Sequence, residues 1–120
     1  MRLLVVDDEV EFAAALGKLL RRRGWESEAV QDGAVALARI AERPADVVLL
    51  DVKMPGKDGV ELVGEIRRLS PKTQVILLTG HLSFSDEERG RAGGAYAYLL
   101  KPHPIPDLVA TIEAAARSNA

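Results

Sequence analysis

Three acidic residues stand where hydrophobic strands end. Asp51 follows the apolar run Val47–Leu50 directly, and Asp7 and Asp8 follow Leu3–Val6 in the same way. Thr79 closes the run Val75–Leu78, and Lys101 follows the strand-like stretch Tyr96–Leu100. Taken singly, each is most simply a loop-start residue with a cap or salt bridge to make, because single motif residues carry little information. Taken together they are five polar side chains at the carboxyl ends of four strands. In an open parallel α/β sheet, ligand sites lie outside that edge, where the strand order reverses.

Three carboxylates converging without a cation would repel, and at least one pKa would rise. A divalent ion relieves this, and an all-oxygen site with few protein ligands and several waters suits Mg²⁺. Lys101 adds a compact positive charge able to reach an anion bound on the metal. Thr79 adds a hydroxyl donor. Such surroundings receive phosphoryl oxygens, and a carboxylate within them can be the nucleophile. Asp51 is therefore a candidate acceptor of a phosphoryl group.

The elements that must position these residues follow from hydrophobic periodicity. Leu3–Val6, Val47–Leu50 and Val75–Leu78 are continuously apolar, as expected of strands buried on both faces, and Ser27–Val30 and Tyr96–Leu100 are weaker strand candidates. Phe12, Leu16, Leu19 and Leu20 mark one helix face, with Gly24 placed as a C′ glycine. Ala34, Leu37, Ala38 and Ala41 mark a second helix, with Asp32 as its N-cap. Leu62, Val63, Ile66 and Leu69 mark a third, and Leu108, Val109, Ile112 and Ala116 the last, with Pro106 in its first turn. Between them, Ser85-x-x-Glu88 reads as a capping box opening a helix that runs to Gly94. That helix is expected to be weak. It contains Gly90 and ends on Gly93 and Gly94, Ala92 is its only internal apolar anchor, and Phe84 and Tyr96 would hold its ends. The chain thus reads β-α five times, which implies a parallel sheet with helices on both faces.

Composition bounds the alternatives. A chain of 120 residues with 48% hydrophobic residues suits one domain over residues 1–120, and 4% aromatics make its core aliphatic. A net charge of −2 gives no electrostatic footprint for nucleic acid or an anionic membrane. The basic run Arg21–Arg23 falls at a helix C-terminus, where it complements the dipole. The absence of cysteine excludes disulfides, thiolate metal sites and cysteine nucleophiles, and it fits a reducing cytosol. The opening "MRLLVVDD" turns acidic too early for a signal peptide, and no apolar run approaches the roughly 20 residues of a membrane span. A cytoplasmic domain is the expectation.

Four stretches, "LLVVDDE", "VVLLDVKMPGKDG", "VILLTGH" and "AYAYLLKP", in this order and spacing, resemble the receiver domain of bacterial two-component response regulators and cover essentially the whole chain. The resemblance implies a flavodoxin-like (βα)5 three-layer sandwich with a parallel five-stranded sheet in the order 2-1-3-4-5. It implies that Asp51 accepts a phosphoryl group from the phosphohistidine of a sensor histidine kinase, forming an aspartyl phosphate. Asp8 and Asp51 would ligate Mg²⁺ directly, with the Lys53 backbone carbonyl as a third protein ligand and Asp7 acting mainly through water. Thr79 and Lys101 would bind the phosphoryl oxygens. A switch is also implied. Thr79 moves toward the phosphate, Tyr98 turns inward behind it, and the surface of the fourth helix, fifth strand and fifth helix changes for an output domain, an output protein or a second copy of the chain. A cis Lys101–Pro102 bond would aim the lysine inward. Such a domain is a phosphorelay switch that catalyses only its own phosphorylation and dephosphorylation.

Several positions depart from that pattern. His103 and Pro104 follow Lys-Pro where an aromatic and a helix-capping acid are more usual, so the fifth helix should start near Pro106. A lone loop histidine such as His103 is most often simply solvated. Lys53 and His81 lie near the mouth of the pocket, where receiver domains tune the lifetime of the phosphate. The glycine-rich fourth helix departs most. The competing readings are weaker. An aspartate-based phosphohydrolase typically carries a second acid two residues after its nucleophile, where this chain has Lys53. A flavin-binding domain would need a Ser/Thr/Gly-rich cradle where this chain has Asp7 and Asp8.

Overall fold

The computed structural model describes residues 1–54, 58–80 and 83–118. Five strands and five helices alternate: β1 (Arg2–Val6), α1 (Val10–Arg22), β2 (Glu26–Val30), α2 (Gly33–Glu42), β3 (Val47–Leu50), α3 (Gly59–Leu69), β4 (Gln74–Thr79), α4 (Phe84–Ala92), β5 (Ala97–Leu100) and α5 (Ile105–Arg117). The strands form one parallel sheet in the order β2-β1-β3-β4-β5. This is the flavodoxin-like order expected from the sequence. Among the described residues, no helix is long and apolar enough to cross a membrane.

Alternation along each strand divides the core in two. Leu3 and Val5 of β1, Val47 and Leu49 of β3, and Ile76 and Leu78 of β4 pack with Ala13, Leu16 and Leu20 of α1 and Leu108, Ile112 and Ala115 of α5. Their neighbours Leu4, Val6, Val48, Leu50, Val75 and Leu77 pack on the other face with α2 and α3. The uninterrupted apolar runs of the central strands exist because both rows are buried.

Most helix boundaries follow the expected signals. Gly24 takes φ +86° just after α1, the left-handed conformation that favours glycine. The Asp32 carboxylate accepts from Val35 N at 2.8 Å and caps α2. The α5 helix begins at Ile105, one residue ahead of Pro106.

Other expectations fail. The buried face of α2 is Gly33, Ala36 and Ile40, with Leu37 half-buried, whereas Ala34, Ala38 and Ala41 are exposed. Alanines on both sides of this short helix left its phase ambiguous, and the larger Ile40 sets it. Leu19 and Leu69 are exposed rather than core residues.

The α4 helix is capped by Ser83, whose hydroxyl accepts from Asp86 N at 3.2 Å, not by Ser85. Ser83 has the extended backbone a cap requires, while Ser85 already lies in the first turn. Ala92 is exposed, and the buried residue of α4 is Gly90. A Cβ on Gly90 would stand 2.6 Å from Leu77 Cδ1, so this glycine lets the helix approach the sheet. Phe84 is 75% exposed and Tyr96 is also exposed, so neither clamps an end of α4.

Candidate functional site

The sheet ladder carries the polar residues past the last apolar rung. Asp7 N donates to Val30 O at 3.0 Å, Asp51 N to Val6 O at 2.9 Å and Lys101 N to Thr79 O at 2.7 Å. Each functional side chain therefore leaves a backbone still fixed by its neighbouring strand. Asp7, Asp51 and Thr79 are buried, while Asp8 is exposed at the rim. One carboxylate oxygen from each of Asp7, Asp8 and Asp51 lies within 4.8 Å of the others.

Lys101 sits among these acids. Its Nζ donates to Asp7 Oδ2 at 2.7 Å and to Glu9 Oε1 at 3.2 Å, and lies 3.6 Å from Asp51 Oδ2. The ammonium also stands 4.4 Å from the centroid of the Phe12 ring, within cation–π range. The Lys101–Pro102 bond is cis, as the sequence suggested. Burial pushes the Asp7 carboxyl above its ordinary value, more than the Lys101 hydrogen bond and the Glu9 N–H draw it down. Burial would lower the Lys101 ammonium, but the Asp7 hydrogen bond and the charges of Asp7 and Asp51 hold it above its ordinary value. Burial thus drives the Asp7 shift and the neighbouring carboxylates the Lys101 shift, in a buried site where several carboxylates share one ammonium. That is the electrostatic state in which an added cation is favourable.

Asp51 presents two different oxygens. Oδ1 accepts from Lys53 N at 3.1 Å, and Oδ2 faces the Lys101 ammonium. The turn after Asp51 is held by Gly59, the first residue of α3. A Cβ there would lie 2.7 Å from Asp51 O, 2.7 Å from Val52 Cα and 2.9 Å from Val52 O. Only glycine lets α3 close on this turn.

Thr79 is buried at the end of β4, and Tyr98 is 9% exposed, within the core cluster that includes Leu77 and Val60. Tyr98 is thus a core residue rather than a surface one. Burial raises its hydroxyl pKa, the Ser83 main chain draws it down, and the charges of Asp86, Glu87 and Asp51 add to the rise.

Asp7, Asp8, Asp51, Lys53, Thr79 and Lys101 lie at this end of the sheet, whereas Tyr98 sits inside β5, paired with Leu77. His81 lies outside the described residues, as do Pro55 and Gly56 of the quoted motif. His103 is half-exposed beside Pro102. Sequence reasoning missed Glu9, Phe12 and Gly59. Glu9 occupies the N-cap position of α1 without making a side-chain cap bond, since its carboxylate serves Lys101 instead. Its signal was adjacency to the Asp7–Asp8 pair. Phe12 read only as a core-facing helix residue, and no local signal marks it. A groove of about 580 Å³ between α3 and α4 is lined by Val60, Gly64, Arg68 and Gly93 among others and contains none of the acid cluster.

Residues 3–113 match the family model described as the response regulator receiver domain. The transcriptional regulatory protein PrrA of Mycobacterium tuberculosis is 38% identical over 116 residues, 97% of this chain and 50% of that protein. The chain therefore spans about half the length of the curated relatives it matches. Among solved structures, a CheY-like receiver domain protein from Methanospirillum hungatei superposes with a TM-score of 0.95 at 29% identity, covering 98% of this chain and 94% of that one. A response regulator from Burkholderia pseudomallei with a phosphorylated aspartic acid, a calcium ion and citrate gives a TM-score of 0.89 at 26% identity, covering 98% of this chain and 69% of that one.

Proposed function

The chain belongs to the response regulator receiver domain family, and on that premise we propose that Asp51 accepts a phosphoryl group and sets the state of a signalling switch. One observation carries the reading. Asp51 is buried, one of its oxygens is occupied by a main-chain N–H, and the other faces an ammonium that three carboxylates share. In the proposed step Asp51 Oδ2 attacks the phosphorus of a phosphohistidine on a sensor histidine kinase. The new O–P bond forms as the P–N bond breaks, and the imidazole keeps the electron pair. Lys101 pairs with the phosphoryl oxygens as charge moves onto Asp51, and the Thr79 hydroxyl donates to them.

The acid cluster suits Mg²⁺. Oxygens bound at about 2.0–2.1 Å around an octahedral ion lie within roughly 4 Å of one another, so carboxylates within 4.8 Å need only small rotations to close on it. Asp8 and Asp51 would be direct ligands with the Lys53 carbonyl, and Asp7 would act through water. When bound, the ion supplies positive charge that offsets the phosphoryl oxygens.

Residues 1–120 act as one receiver domain in the cytoplasm, taking their input from a sensor histidine kinase. Thr79 and Tyr98 pass the phosphorylation state to the surface of α4, β5 and α5, where Phe84, Tyr96, Leu100 and Ile105 are exposed. An output domain, a separate output protein or a second copy of the chain reads that surface. Similarity to transcriptional regulators supports a role in transcription control through a separate DNA-binding part, since this domain's net charge of −2 gives no footprint for DNA.

Incubation with acetyl phosphate and Mg²⁺, followed by intact-mass spectrometry, tests the proposal. About one phosphoryl adduct per chain is expected for the wild type and none for Asp51→Asn, whose amide is nearly isosteric but a poor nucleophile. A stoichiometric adduct on the variant would place the acceptor elsewhere. Continuous turnover of many acetyl phosphates per minute would favour the hydrolase reading.

A further inference from the structure

The α4 helix is tied to the rest of the domain largely by charge. Gly90 is its only buried residue, and its sequence has no apolar stripe. Among the described residues, its ion pairs to the rest of the chain run to the segment that leaves Asp51. Lys53 Nζ lies 3.7 Å from Asp86 Oδ2, and Arg89 Nη2 donates to Asp58 Oδ2 at 2.9 Å. Within α4, Arg89 Nη1 also reaches Asp86 Oδ1 at 3.3 Å.

Lys53 therefore stands between two anions. Its main chain is already hydrogen-bonded to Asp51 Oδ1, and its ammonium rests on Asp86. A phosphoryl group on Asp51 would add roughly one negative charge and three acceptor oxygens within reach of that flexible side chain. Asp86 can release Lys53 without being left an uncompensated, largely buried charge, because Arg89 remains beside it.

We infer that Asp86 is a positioning residue that holds the Lys53 ammonium away from Asp51, so that Asp86 and a phosphoryl group on Asp51 compete for one cation. Phosphorylation then opens the Lys53–Asp86 half of the clasp. The Asp58–Arg89 half persists, and α4 repositions about it. The inference rests on the phosphoacceptor reading of Asp51. By linkage the coupling is reciprocal: whatever draws Lys53 to Asp51 loosens Asp86, and loss of Asp86 favours the anion at Asp51.

The test is a beryllofluoride titration at saturating Mg²⁺, followed by amide NMR shifts, on the wild type, Asp86→Asn, Lys53→Met and the double variant. Asp86→Asn should bind the phosphoryl mimic about two- to five-fold more tightly, the scale of a partly exposed ion pair. In the Lys53→Met background the same substitution should change nothing. An unchanged midpoint for Asp86→Asn, or an equal gain without Lys53, overturns the inference. In the wild type, the Lys53 side-chain ¹⁵Nζ resonance should also move on saturation, and an unmoved resonance would overturn it without recourse to any variant. Absence of any response that depends on Asp51, judged against Asp51→Asn, would instead remove the phosphoacceptor reading and this inference with it.

Discussion

Two glycines of one helix should answer the same substitution with opposite signs. Gly59 and Gly64 both lie in α3, and Ala exceeds Gly there by about 1 kcal/mol of helix propensity. At Gly64 a new Cβ would meet only Arg68 Nη1, at 3.3 Å, and that is the end of a flexible side chain. Gly64→Ala should therefore keep most of the propensity gain, about 0.5–1 kcal/mol. At Gly59 the new Cβ would meet backbone at 2.7 Å in two places, against an ordinary separation of 3.4–4 Å. That overlap closes only if the Asp51–Val52 turn or the start of α3 moves. Overpacking of this kind costs about 1–3 kcal/mol, more than the propensity gain returns at a first helical position. With an unfolding entropy of about 0.25 kcal/mol/K for a chain of this size, Gly64→Ala should raise Tm by about 2–4 °C and Gly59→Ala should lower it by about 4–8 °C. Calorimetry without added metal measures both, and acetyl phosphate labelling should be slowed by Gly59→Ala alone. A Gly59→Ala protein as stable and as quickly labelled as wild type would refute the claim that this contact fixes the turn.

Asp8→Ala should abolish Mg²⁺ binding, itself weak without phosphate, in a titration followed by fluorescence or NMR shifts; unchanged binding would remove Asp8 from the site. Lys101→Ala should still be labelled by acetyl phosphate, but more slowly, and labelling should no longer shift the resonances around Tyr98. Wild-type shifts in the labelled variant would contradict the coupling role. Asp58 is held below the ordinary carboxylate value of 3.8, first by the hydrogen bond from Arg89, so its contribution to stability is present above that pH and lost as pH falls through the folded value. Asp58→Asn keeps an N-cap but loses the ion pair, and after allowance for solvent exposure it should cost about 0.5 kcal/mol at pH 7. The difference should shrink in urea melts as the pH is lowered below 3.8, and a constant difference would exclude an electrostatic origin.

The strands and their order were legible because β1, β3 and β4 are buried on both faces, which leaves a run of aliphatic residues that no surface helix shows. The candidate site was legible for a related reason: Asp7, Asp51 and Thr79 interrupt those runs at one edge. What was not legible depends on contacts far apart in sequence. The phase of α2 could not be read from alanines that fit either face. Gly90 read as a weakness in α4 until Leu77, thirteen positions away, appeared against it. Glu9 and Phe12 acquire a role only through Lys101, some ninety residues later. The ion pairs of α4 with Lys53 and Asp58 lie at the surface or its margin, and charges placed there carry no periodic signature.

The alternation of the strands also separates the proposed chemistry from its readout. Asp7, Asp51 and Lys101 continue by parity the rows of Leu3 and Val5, Val47 and Leu49, and Ala97 and Leu99, which face α1 and α5. Thr79 continues the row of Val75 and Leu77, and Tyr98 belongs to the same face, the one covered by α2 and α3. A charge placed on Asp51 thus arises on one face of the sheet, while the residues proposed to respond to it belong to the other. The packed aliphatic rows between them offer no polar route through the sheet, so the signal must pass around its carboxyl edge. Two paths lie there. Thr79 ends the adjacent strand, one rung beyond Asp51 in the register that pairs Leu50 with Leu77. The other is the chain itself, because Val52, the residue after Asp51, is already buried with the α2–α3 cluster. Gly59 packs directly on the main chain of that crossing point. A side chain at position 59 should therefore impair the response to phosphorylation more than its cost in stability alone would require, since it displaces the segment where the two faces of the sheet meet.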